Sequence, residues 1–269
     1  MSKRELNPPA VLPNTLRPFV LKDQVRIGSR YDGGYVLPER LLANSNKLIS
    51  IGINLDWCFE LDVLERFPGM SIISFDYTTR LSYTLWWGIS RFFYSPISRK
   101  KRHVKAILKP ISYIRYISNR RVQHFSKFIG TEPGDKFTNP GEIFARIGPK
   151  ESVLLKIDIE GGEYTVLDSL LDYHRLITGM IIEFHEIPQD PARFFEQVER
   201  IKQHYKITHI HVNNVTGVSQ ENLPYFLEMT FVRSDFLSEE ALFRGEYYVL
   251  SQDESNIPEW PEVKLVFES

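Results

Sequence analysis

Three carboxylates fall within six residues at Asp158, Glu160 and Glu163, in "LLKIDIEGGEYTVLDSLL" (154–171). The run before them is apolar except for Lys156, as in a buried strand. The run after them has the apolar spacing of a helix. Acids at such a junction can cap the helix, where negative charge is favoured, or they can hold a ligand. Further along, Glu183 and His185 close "GMIIEFHE" (179–186), His211 and Asn213 close "ITHIHVNN" (207–214), and Glu228 lies within "YFLEMTFVR" (225–233). An imidazole suits the removal of a hydroxyl proton near neutral pH. His185 is therefore the first candidate base, with His211 second and Asp158 beside them. A solitary histidine can equally be a satisfied polar residue. Asp158, His185, His211, Asn213 and Glu228 are all competent metal ligands. They are spread along the chain without metal-specific spacing, so no metal centre is expected.

A second constellation lies upstream. Gly52 follows the apolar run "KLISIGI" (47–53), and Asp76 closes "SIISFDY" (71–77), 24 residues later. A glycine ending one strand and an acid ending the next suit a nucleoside: the backbone approaches closely and the carboxylate accepts from ribose hydroxyls. The fingerprint G-x-G-x-x-G is absent from "SIGINLDWCFE", so no pyrophosphate cradle is expected and NAD is disfavoured. A nucleoside without pyrophosphate, S-adenosylmethionine, fits better. A purely structural Asp76 remains the alternative.

The elements that must position these groups alternate. Predicted strands at 47–53, 71–77, 122–130, 154–159, 179–186, 207–214 and 225–233 are interleaved with predicted helices at 55–67, 139–148, 163–171 and 191–205. That alternation predicts an α/β fold with an open, mostly parallel sheet and helices on both faces. Ligands of such sheets bind at the carboxyl ends of the strands. Upstream, "VRIGSRYDGGYVLP" (25–38) predicts a hairpin within the lead 1–46. Its Asp32–Tyr35 segment is either a plain turn or a lid, with Tyr35 against the ligand. The tail after 245 is expected to be irregular.

The chain has 269 residues and a net charge of −1, which suits a single domain covering 1–269. Residues 80–121 hold eleven Lys or Arg and no acid, mixed with Tyr83, Trp86, Trp87, Phe92, Phe93, Tyr94, Tyr113 and Tyr116. Three readings of this insert stand. It is a helical cap on the core, an interfacial element for an anionic membrane surface, or a grip on an anionic acceptor. No nucleic-acid-binding module is recognisable, so nucleic acid is not expected as a partner. One cysteine, no signal-peptide pattern and no long apolar run lead to the expectation of a cytoplasmic protein, peripheral at the membrane if the insert binds lipid.

The motifs "RIGSRYDGGYVL", "SIGINLDWCFE", "LLKIDIEGGEYTVLDSL", "IIEFHE" and "HIHVNN" with "LPYFLEMTF" occur in an order that resembles the FkbM-type methyltransferases, a class I S-adenosylmethionine-dependent family. The resemblance spans most of 25–233 apart from the insert. It implies a seven-stranded Rossmann-like sheet whose last strand is antiparallel. It assigns Ser50, Gly52 and Ile53 to the methionine end of the cofactor and Asp76 to the ribose. Glu60 would face the same pocket, and Asp158 with Glu160 would lie beside the sulfonium and the incoming acceptor. Tyr35, Glu160, Glu183, Asn213 and Glu228 become candidate acceptor contacts. The usual glycines after the first strand are replaced by Asn54, Leu55 and Asp56. The expected activity is O-methylation of a sugar, glycan or glycolipid-type acceptor, anionic or lipid-linked. The alternative is a non-catalytic Rossmann-like protein that binds a nucleotide or anionic glycan through the insert.

Overall fold

Seven apolar strands form the central sheet: β1 Lys47–Ile51, β2 Ser71–Phe75, β3 Val122–Phe125, β4 Val153–Ile157, β5 Ile177–Phe184, β6 Tyr205–Val212 and β7 Leu227–Arg233. The computed structural model describes residues 8–86, 90, 109–237, 242–248 and 250–268. The order across the sheet is β6-β7-β5-β4-β1-β2-β3. Strands β1 to β5 pair in parallel, whereas β7 runs antiparallel to both β5 and β6. No helix among the described residues links β6 to β7, so β7 returns antiparallel rather than crossing a face.

Side chains alternate across the sheet. Ile49, Ile51, Leu155, Ile157 and Ile182 face a core built with α3 Glu163–Leu171 and α4 Pro191–Lys202. Leu48, Leu154, Ile181 and Val232 face the other core, with α1 Cys58–Arg66, α2 Lys109–Ile117 and the hairpin Gln24–Gly28 with Gly34–Pro38. Burial of both faces explains why these strands are nearly continuous apolar runs.

Several elements depart from the sequence expectation. The predicted strand 122–130 splits after Phe125, and Phe128–Ile129 pairs instead with Phe137–Thr138 as a flap beside the main sheet. The helix expected from 55 starts at Cys58, because Asn54 and Leu55 adopt positive φ of 42° and 61°. The helix at 139–148 shortens to Pro140–Phe144, with Asn139 as its cap. The tail is not wholly irregular: Leu265–Glu268 pairs in parallel with Ala10–Pro13 and antiparallel with Tyr247–Tyr248. Of the basic insert, residues 81–86 are helical and α2 packs Tyr113 and Tyr116 against Trp57. Residues 87–89 and 91–108, with Arg99, Lys100, Lys101 and Arg102, lie outside the described residues.

Candidate active site

The carboxyl ends of β1 and β4 touch. Gly52 has φ +82°, and a Cβ built on it would stand 1.6 Å from the Asp158 carbonyl oxygen. Only glycine allows this contact, because the obstacle is backbone and the conformation is left-handed. Gly52→Ala should therefore cost on the order of 3 kcal/mol or more, visible as a large fall in the thermal midpoint; an unchanged midpoint would refute the contact. Two cavities of about 590 and 190 Å³ open around this junction. Asn54, Asp158 and Glu160 line both.

The larger cavity is bounded by Ile51, Gly52, Phe75, Asp76, Tyr77, Phe128, Phe137 and Ile159, among others. Tyr77 and Phe128 stack at 4.4 Å. Asp76 sits at the end of β2, as its position in the sequence suggests, but its oxygens are occupied. Oδ2 accepts from the backbone N–H of Ile53 (2.9 Å) and Asn54 (2.6 Å) and from the Thr79 hydroxyl (3.0 Å). Oδ1 accepts from the backbone N–H of Thr78 (2.7 Å) and Thr79 (3.0 Å) and from the Thr78 hydroxyl (2.6 Å). Burial pushes its pKa up, but these bonds outweigh burial and hold it below the ordinary carboxylate range. Asp76 thus fastens the strained Asn54–Leu55 turn that stands where the family usually has glycines. Ser50 and Glu60 do not reach either cavity. Both are fully buried, and the Ser50 hydroxyl donates to Glu60 Oε1 at 2.5 Å behind β1. Gly52 lines the larger cavity and Ile53 the smaller one.

The smaller cavity is acidic. Asp32, Asp56, Asp158, Glu160 and Glu183 line it together with Tyr35, Lys156, His185 and Asn213. The strand does not persist to Asp158 and Glu160 as expected: β4 ends at Ile157, and Glu160 is set by a positive φ of 53°. The Tyr35 hydroxyl donates to Asp158 Oδ2 at 3.0 Å, so the hairpin does reach the site. Asn213 donates to Glu183 Oε1 at 2.9 Å. Burial, then the charges of Asp158 and Glu228, push the Glu183 pKa well up. His185 is 3% exposed. Its Nδ1 stands 3.3 Å from Glu163 Oε1, and Glu163, fully buried, also accepts from the His185 backbone N–H at 2.8 Å and from Gly161 N–H at 2.9 Å. This carboxylate fixes the ring so that Nε2 faces Asp158 Oδ1 at 3.7 Å and Glu160 at 3.8 Å. Burial draws the His185 pKa down, but Glu163, Asp158 and Glu160 together raise it.

His211 and Glu228 are not at this site. His211 is clasped between Glu228 (3.2 Å) and Glu262 (2.7 Å), and Asn256 of the tail donates to Glu228 Oε1 at 2.9 Å. Both ring nitrogens are thereby engaged by carboxylates, so His211 has no nitrogen left for an acceptor hydroxyl, and neither residue lines the cavity. Sequence reasoning left out Tyr77 and Phe128, and it noted Asp32, Lys156 and Glu163 without assigning any of them a particular contact at the site. Lys156 interrupts an otherwise apolar strand and is 3% exposed, with Nζ donating to Gly52 O at 2.9 Å. A lysine inside a buried strand and an acid three residues after Glu160 were the available signals.

A mostly parallel seven-stranded sheet in this order, with an antiparallel seventh strand and ligand cavities at its carboxyl edge, is the class I methyltransferase architecture. Residues 43–208 match the methyltransferase FkbM domain, and the chain belongs to that family. It is an S-adenosylmethionine-dependent methyltransferase, which sets aside the non-catalytic alternative. No curated protein matches the chain. Among solved structures, the Methanococcus jannaschii fibrillarin pre-rRNA processing protein is similar at 10% identity and TM-score 0.38, over 71% of this chain and 67% of that one. Spermidine synthase from Thermotoga maritima is similar at 13% identity and TM-score 0.40, over 72% of this chain and 55% of that one. The larger cavity fits the cofactor: it combines an aromatic wall, the close approach allowed by Gly52, and the acids Asp158 and Glu160 at the boundary with the second cavity.

Proposed function

We propose that the protein methylates a hydroxyl of a sugar, glycan or glycolipid-type acceptor seated in the smaller cavity. The observation that carries this reading is the shared wall. Asp158 and Glu160 border both cavities, and the buried His185 imidazole is aimed across the acceptor side. Tyr77, Phe128, Ile159 and Gly52 would hold S-adenosylmethionine, which supplies an electrophilic methyl group on a sulfonium. Carboxylates around the second cavity accept hydrogen bonds from acceptor hydroxyls and hold the reacting oxygen in line. The Nε2 lone pair of His185 activates that hydroxyl; as a free imidazole it takes the proton while the oxygen bonds to carbon. Among the described lining residues, five carboxylates against one lysine disfavour an anionic group at the reacting end. Any anionic part of the acceptor belongs outside this cavity. Calorimetry should give one S-adenosylmethionine per chain, and methyl transfer should appear within a panel of hydroxylated sugars. Cofactor binding with transfer only to amines or nucleic acid would overturn the acceptor assignment.

We also infer that the basic segment brings the protein to anionic membrane surfaces. Exposed Leu81, Tyr83, Leu85 and Trp86 on one side and Ile111 and Ile114 on the other flank it and support this reading. Each Lys or Arg near an anionic leaflet contributes on the order of 1 kcal/mol, weakened by salt. The protein should sediment with anionic liposomes at low salt and release at high salt. Replacing Arg99, Lys100, Lys101 and Arg102 together by serine should reduce that sedimentation. Indifference of the wild type to such liposomes at low salt would refute the inference.

A further inference from the structure

We propose that Asp158, Glu183 and His185 form a divalent-cation site on the wall of the acceptor cavity. One donor atom from each lies within 4.8 Å of the others, and His185 Nε2 stands 3.7 Å from Asp158 Oδ1. Ligand oxygens and nitrogens sit about 2.0–2.2 Å from a transition-metal ion and so about 3.4 Å from one another at a tetrahedral angle; the widest pair must close by about 1.5 Å, with each side chain moving by less than that. The set joins an imidazole to two carboxylates and does not rest on acidity alone.

A second observation concerns what each ligand does with its remaining atom. His185 Nδ1 pairs with the buried Glu163, Glu183 Oε1 accepts from the Asn213 amide, and Asp158 Oδ2 accepts from the Tyr35 hydroxyl. The other atoms (Nε2, Oε2 and Oδ1) have no hydrogen-bond partner among the described residues. His185 and Glu183 are 3% and 6% exposed, and both line the cavity. Ligands whose far atoms are held by a carboxylate, an amide or a hydroxyl are the pattern of a supported metal site. The local charge points the same way. Among the described residues Lys156 is the one Lys or Arg lining a cavity with five carboxylates; its ammonium donates to the Gly52 carbonyl and stands 3.8 Å from Asp158 Oδ2, the oxygen already bonded to Tyr35.

Two carboxylates with one imidazole suit Mn²⁺ or Zn²⁺ better than Mg²⁺. Three protein ligands leave positions open for acceptor oxygens. With an ion bound, the His185 lone pair is a ligand, and the acceptor hydroxyl is acidified by the metal. Its proton then passes to Glu160, which is largely exposed, and on to solvent. Only this use of the ion rests on the hydroxyl-methylation reading; the site itself does not.

The test is calorimetry and electron paramagnetic resonance of the chelator-treated full chain with MnCl₂, without cofactor or acceptor. One Mn²⁺ per chain is expected, with a higher thermal midpoint when the ion is present. Glu183→Gln and His185→Ala should each weaken binding about tenfold or more. If Glu183→Gln fails to fold, Asp158→Asn serves in its place, and the wild-type stoichiometry and midpoint shift stand on their own. Absence of saturable binding by the wild type, or equal affinity in all variants, overturns the site. S-adenosylmethionine binding measured in chelator tests the methyltransferase reading separately.

Discussion

His185→Ala should lower turnover about a hundred-fold or more while leaving cofactor affinity unchanged. The size follows from where the imidazole sits. Its ring is clamped by Glu163, it is 3% exposed, and Nε2 is aimed at the Asp158–Glu160 wall. Alanine removes the only imidazole among the described residues lining the acceptor cavity and leaves the larger cavity's lining intact, since His185 does not line it. The readout is a split between kcat and the affinity for S-adenosylhomocysteine. Wild-type turnover in the variant would make His185 a structural residue, and a parallel loss of cofactor affinity would place it on the wrong side of the wall.

The second large effect is expected from Asp76→Ala. The six bonds to this carboxylate hold together residues 53–54 and 78–79. Their removal orphans the N–H groups of Ile53, Asn54, Thr78 and Thr79. The Ile53 and Thr79 groups are buried, whereas Asn54 and Thr78 are exposed; each unmatched buried donor costs about 1–3 kcal/mol, so a loss of about 2–5 kcal/mol is expected. Cofactor binding should weaken about ten- to a hundred-fold, because the turn lining the cavity loses its fastening. The folded pKa of Asp76 lies below its ordinary value. Its stabilisation is therefore present above that ordinary value and fades as pH falls through the folded one. A thermal midpoint and a cofactor affinity both equal to wild type would remove Asp76 from either role.

How much of this was legible in the sequence depends on the range of the interactions. The mostly parallel sheet follows from apolar runs, which are local; its antiparallel seventh strand is implied only by the family resemblance that the motif order carries. The pairing of Asp158 with His185 was visible as two strand ends meeting at one edge. The clasp of His211 by Glu228 and Glu262 was not, because Glu262 is 51 residues away in a tail with no periodic pattern. Glu60 misled because its place in a helix after the first strand gives no sign of which side of β1 it falls on; its bond to Ser50 puts it behind the strand. The burden carried by Asp76 was hidden for a different reason: an acid that ends a strand looks the same whether it faces a ribose or four backbone amides.

The two cavities share a wall but differ in how far along the chain they reach. Every residue named around the larger one lies between Ile51 and Gly162, inside the stretch 43–208 that defines the family. The smaller one borrows Asp32, Gly33 and Tyr35 from before that stretch and Asn213, Val215 and Phe226 from after it. Behind these, the tail residue Asn256 reaches both Asp32 and Glu228. On the proposed assignment, donor chemistry lies within the family stretch, and acceptor choice draws on that stretch together with the flanks at both its ends. Relatives could keep the first intact while the hairpin and the flank beyond β6 drift, so a family-wide motif need not bring a family-wide substrate. Exchanging those flanks between relatives is the direct route to changing what is methylated without disturbing how.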